Sequence, residues 1–229
     1  MPRETHGCGW RIPVIVCALV CLVAVPSQAD VSLSPLFSSD MMLQRGQPVR
    51  VWGRAAPGEK VRVSITGGAT SSNATTADEQ GDWLVELAPI DVGENLVLRV
   101  EGNNAIVLEN VIVGDVWLCS GQSNMAWPLH ACAAKADIAG ADFPRIRRIK
   151  IKNVASTETV PDAATDTPWQ VCSPQTAAAF TGVGFYFARE VLAQTNVPIG
   201  LLDDAWHGGD DRHHDAEGGA GQPSFVEQA

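Results

Sequence analysis

A chain of 229 residues, 45% of them hydrophobic, is long enough to enclose one large apolar core or two small ones. Its 26 acidic residues outnumber 16 basic ones, and the resulting formal charge of −10 argues against nucleic acid or an anionic membrane surface as the main partner.

The chain opens like an export signal. Arg3 and Arg11 precede an apolar run over residues 12–25, and Pro-Ser-Gln-Ala29 offers small residues for cleavage. The run is shorter than the roughly 20 residues needed to cross a bilayer. Residues 1–29 are therefore expected to be a signal peptide, leaving an exported protein, periplasmic or extracellular, with no membrane attachment after cleavage; an uncleaved anchor is the alternative. Val20 stands where a lipoprotein needs a small residue before Cys21. Cys8, Cys17 and Cys21 leave with the leader. Cys119, Cys132 and Cys172 then enter an oxidising compartment, where Cys132 with Cys172 is the pair to test as a disulfide.

Residues 30–108 carry short alternating runs divided by turn residues. Val49-Arg-Val-Trp52, Val61-Arg-Val-Ser-Ile65, residues 83–87 and residues 96–100 read as strands, with turns at Ala56-Pro-Gly58, Glu79-Gln-Gly-Asp82 and Gly102-Asn-Asn104. Strands this closely spaced predict a small β-sandwich. Asn73-Ala-Thr75 fits either a glycosylation acceptor or a polar hairpin tip.

After Asn110 the pattern changes to an apolar strand, residues 111–118, a Gly-rich turn and a predicted helix. A strand that stops at such a turn pushes the next side chain out at the carboxyl edge of a sheet, where open α/β folds place their chemistry. Ser123, between Gln122 and Asn124, is the candidate nucleophile. Trp127 close behind it is a candidate wall of a sugar pocket, while most other tryptophans read as core; His130 reads as a cap or a solvated side chain. Arg145, Arg147, Arg148, Lys150 and Lys152 interleave with Ile146, Ile149 and Ile151, which predicts a half-buried strand with a solvated basic face. Phe180, Val183, Gly184, Phe187 and Val191 fall along one predicted helical face, Asn196-Val-Pro198 ends that helix, and residues 199–202 read as a buried strand. Strand, helix and strand in this order make an α/β unit. Beyond Trp206 no apolar period remains, and residues 207–229 are expected to be disordered. The tail histidines with Asp210, Asp211 and Asp215 suit weak metal binding without catalysis.

Six blocks in order carry a family resemblance: Phe37-Ser-Ser-Asp-Met-Met-Leu-Gln-Arg45, Pro48-Val-Arg-Val-Trp-Gly53, Pro57-Gly-Glu-Lys60, Gly114-Asp-Val-Trp-Leu-Cys-Ser-Gly-Gln-Ser-Asn-Met125, Gly182-Val-Gly-Phe-Tyr-Phe-Ala-Arg-Glu190 and Val197-Pro-Ile-Gly-Leu201. Across residues 37–206 the chain resembles the sialate O-acetylesterase family. The resemblance implies a mixed fold: an N-terminal all-β sandwich, residues 30–108, followed by an incomplete α/β domain of the SGNH hydrolase type, residues 109–206, with a tail outside the family pattern. It also implies removal of O-acetyl groups from sialic acid or related sugars, an acetylated carbohydrate as partner, and no cofactor or catalytic metal.

By position in the matched motif Ser123 is the nucleophile, Gln122 and Asn124 shape its turn, and Gly209 of Trp206-His-Gly-Gly209 is an oxyanion donor. A serine hydroxyl needs an imidazole to take its proton, and backbone N–H groups near the carbonyl stabilise the oxyanion. The family's general-base histidine and its aspartate lie far downstream of these blocks. Asp210-Asp-Arg-His213 and Asp211-Arg-His-His214 spell Asp-x-x-His only a few residues past Gly209, with no later strand to carry them back to Ser123. The expectation is a truncated or frame-shifted, inactive member of the family. The alternative is a non-catalytic carbohydrate-binding or scaffold protein that works through the β-sandwich.

Overall fold

The computed structural model describes residues 30–68, 70–132, 134–154 and 162–206. The leader, Gly209 and the histidine-bearing tail lie outside the described residues. What is described is mostly β structure with few helices, in two sheets.

The first sheet joins β1 (Ser32–Leu33), β3 (Val49–Arg54) and β6 (Asp82–Leu87), all antiparallel. The second runs β10 (Thr165–Cys172), β9 (Phe143–Ile151), β11 (Ile199–Asp203), β8 (Ala105–Cys119), β7 (Gly93–Glu101), β4 (Lys60–Thr66) and β5 (Ser71–Thr76), with β2 (Met42–Gln44) added against β8. Alternation sets the inward faces. Along β4 the apolar residues Val61, Val63 and Ile65 are buried, and along β6 Trp83, Val85 and Leu87 are, while the residues between them point outward or are partly covered. These side chains meet Leu96, Leu98 and Val100 of β7 in one core. Asn73 lies in mid-strand on β5 rather than at a hairpin tip, exposed, with its Nδ2 donating to the Glu86 carbonyl at 2.9 Å.

β8 is longer than the predicted run, because it pairs with different partners along its length. Its first half pairs antiparallel with β7, Ile112 to Gly114 pair with β2, and Asp115 to Cys119 pair in parallel with β11. β11 is buried at every position and lies between β8 and β9, as expected for a parallel strand covered on both faces. Ile199 and Leu201 face a second core with Ile146, Phe180, Phe185 and Ala188; Leu202 and Ile149 face the first.

Two expectations are corrected here. The basic residues of β9 do not form a solvated face: Arg147 is 3% exposed and Arg148 6%. Ile149 and Ile151 of β9 lie in the first core and Ile146 in the second, so both faces of the strand are covered and its charges must find partners inside. Arg147 donates to the carbonyls of Pro144, Asp40 and Asn110, and burial lowers its pKa. The helix α3 (Gly182–Thr195) is where the sequence put it, but its buried face is Gly184, Phe185 and Ala188, with Val183 and Phe187 exposed. Small residues define the contact because a Cβ on Gly184 would already lie 3.1 Å from Cys119 Sγ and 3.3 Å from Leu201 Cδ1. The ends of α3 follow from chemistry. Thr181 Oγ1 caps the Gly184 N–H, and Asn196 closes the helix in the left-handed region at φ 57° before Pro198.

Candidate active site

β8 ends at Cys119, and Gly121 turns the chain at φ 129°, a conformation that favours glycine. The short helix α1 (Ser123–Ala126) begins at once, so Gln122, Ser123 and Asn124 stand exposed at the carboxyl edge of β8. Among the described residues Ser123 Oγ has no hydrogen-bond partner.

The turn is held from two sides. The segment after β11 runs beside it, with Asp204 N–H donating to Cys119 O and Trp206 N–H to Gly121 O, both at 3.1 Å. On the other side the loop after Ser123 is fastened to the start of α3. Leu129 N–H donates to Phe180 O at 2.8 Å, Gly182 N–H to Trp127 O at 2.9 Å, and Thr181 Oγ1 to Met125 Sδ at 3.7 Å. Leu129 is wholly buried beneath this loop. His130, the one histidine among the described residues, donates from Nδ1 to the Ala178 carbonyl at 2.9 Å, which fixes it as a support of the loop.

Two depressions flank the turn. Trp127, 49% exposed, lines one of about 460 Å³ with Asn124, Cys132 and Val183. The other, about 360 Å³, is bordered by Ala126, Pro128, Ala205 and Trp206 and carries Arg148, Lys150 and Asp203. Its ionic cluster is a feature the sequence reading missed. Arg148 donates to Asp203 Oδ2 from Nε at 2.8 Å and approaches it through Nη2 at 2.7 Å; Lys150 Nζ donates to Asp203 Oδ1 at 3.1 Å and to Ala205 O at 2.7 Å. The one available signal was an aspartate at the end of an otherwise apolar strand. The parallel register brings Asp203 level with Lys150.

All three described cysteines are free thiols, so Cys132 and Cys172 are not bridged. Burial, reinforced by the charge of Asp203, pushes the Cys119 thiol up to about 11; burial pushes Cys172 to about 12. Neither is a nucleophile at neutral pH. Of the tryptophans, Trp83 and Trp169 are core, as expected, but Trp117 is 45% exposed and meets Phe187 edge to face at 4.9 Å. Among the described residues no group of three or more His, Cys, Asp or Glu gathers as metal ligands.

No protein-family model matches the chain. The sialate O-acetylesterase of Homo sapiens is 26% identical over 189 residues, 75% of this chain and 36% of that protein; the Mus musculus sialate O-acetylesterase is 28% identical over 218 residues, 86% and 40%. The crystal structure of a carbohydrate acetylesterase from Xanthomonas citri superposes with a TM-score of 0.73 at 35% identity, covering 79% of this chain and 41% of that one. The chain thus spans about two fifths of the length of these proteins. Six motif blocks in family order, relatives that match most of the chain and a similar solved structure support a sialate O-acetylesterase-like family.

Proposed function

We propose that this chain carries the nucleophile of a serine ester hydrolase that removes O-acetyl groups from sialic acid or related sugars. The observation that carries the reading is the exposed Ser123 on the Gly121 turn at the carboxyl edge of β8. In this reading Ser123 Oγ attacks the acetyl carbonyl, Gln122 and Asn124 hold the turn, and Gly209 contributes an oxyanion N–H worth about 3 kcal/mol when well placed. The arrangement is an N-terminal β-sandwich, residues 30–108, leading through β8 into an SGNH-like α/β part, residues 109–206. Residues 1–29 direct export to the periplasm or the exterior.

One observation favours a second reading. Ser123 needs a proton acceptor, and among the described residues no hydrogen bond joins it to an imidazole: His130, the one histidine there, bonds through Nδ1 to the Ala178 carbonyl. A protein that binds acetylated sugars without cleaving them is the alternative.

The chain and Ser123→Ala are compared for acetate release from 4-nitrophenyl acetate and from an O-acetylated sialic acid. Turnover that Ser123→Ala lowers by about 10³-fold or more supports the esterase. An unchanged rate removes Ser123 from the mechanism. Binding of the sugar by the folded chain with no acetate released supports the second reading.

A further inference from the structure

The cleft beside the nucleophile turn has a charge imbalance that the esterase reading leaves unused. Among the described residues its charged lining is Arg148, Lys150 and Asp203, two cations on one carboxylate. Arg148 neutralises Asp203 through Nε and Nη2 and lies 5.7 Å from the centre of the Phe180 ring, which fixes the guanidinium as a support. Lys150 is the more open of the pair, with its side chain 17% exposed against 7% for Arg148. Its ammonium carries three protons, and among the described residues two of them are taken, by Asp203 Oδ1 and Ala205 O. A half-buried positive charge with a spare donor, in a chain whose formal charge is −10, is a place for an anion.

We propose that Lys150 is a specificity-determining residue, reading the carboxylate of a sugar acid bound in this cleft next to Ser123; this rests on the sugar-binding reading of the site above. One surplus charge and one spare N–H match a singly charged carboxylate better than a doubly charged phosphate monoester. The placement follows from hydrogen bonds. Lys150 holds the Ala205 carbonyl, and the residues on either side of Ala205 are those bonded to Cys119 and Gly121 of the nucleophile turn. Trp206 on the cleft wall supplies an apolar surface for a sugar ring.

The test is binding, so it stands apart from turnover: the full chain is titrated with N-acetylneuraminate and with its uncharged methyl ester, and acetate release is scored separately. The expected result is that the acid binds at least about tenfold tighter than the ester, the gain of one charge-assisted hydrogen bond, and that the preference shrinks with added salt. Lys150→Met and Lys150→Gln lose the preference, and Lys150→Arg keeps it. Lys150→Gln retains a donor to Ala205 O, which guards the fold if the methionine variant unfolds. Equal binding of acid and ester, binding of neither, or a preference that survives Lys150→Gln overturns the proposal. A preference without acetate release leaves the subsite standing while the esterase reading fails.

Discussion

Cys119 and Cys172 show what burial does to a single titratable group. A thiolate in an apolar setting is poorly solvated, so both thiols hold their protons to about 11 and about 12 against an ordinary value of 9.0. The folded pKa values are raised, so the associated stability is whole below pH 9 and is lost as pH rises toward the folded values. In that window the unfolded chain releases protons that the native chain keeps, and stability falls by about 1.4 kcal/mol per pH unit for each thiol. Urea unfolding from pH 8 to 10.5 is expected to show a shallower decline in Cys119→Ala/Cys172→Ala than in the parent; equal slopes would refute the thiol origin. At this scale Ser123 was legible, since a Gly-rich turn after an apolar strand announces itself within a dozen residues. Lys150 and Asp203 were not, because nothing within 50 residues of either reveals that a parallel register sets them side by side.

β8 changes partner at Gly114, and the element works because that residue has no side chain. A Cβ there would run into the backbone carbonyl of Pro198, the group that accepts the Asp115 N–H at 2.9 Å and starts the pairing of β8 with β11. Backbone cannot yield as a flexible side chain does. Gly114→Ala is therefore expected to destabilise the chain by about 3 kcal/mol or more, at the upper end of overpacking effects, despite alanine's smaller backbone entropy cost. Gly46→Ala is a useful reference: it has open space around it, so its loss reflects only the positive φ of 68°. Thermal unfolding of the two variants measures the difference, and a Gly114→Ala no worse than Gly46→Ala would contradict the close approach. Elements with strong internal patterning, β4, β6 and the span of α3, could be read from sequence. β5 could not: Ser71–Thr76 contains no large apolar residue and is a strand because β4 offers it an edge. The face of α3 was also hidden, since periodicity gives the spacing of a stripe while Gly184 decides which stripe approaches the sheet.

Across the whole molecule the two apolar cores are not separable by cutting the chain at one point. β9 and β11 each place residues in both: Ile149 and Leu202 in the first, Ile146, Ile199 and Leu201 in the second. β8 likewise runs from Val111 in the first core to Cys119 in the second. Loss of packing in one core must therefore loosen strands that the other needs, and the Ser123 turn at the end of β8 depends on both. Leu98 is wholly buried in the first core, on β7, which does not pair with β11. Leu98→Ala is expected to cost about 2–5 kcal/mol of global stability. If the cores unfold together, native-state hydrogen exchange should show the slowest β11 amides losing the same free energy of protection as those of β4, because both then exchange only through global opening. Protection of β11 left at its parental value would mean that the cores open independently, with the strand they share acting as a hinge.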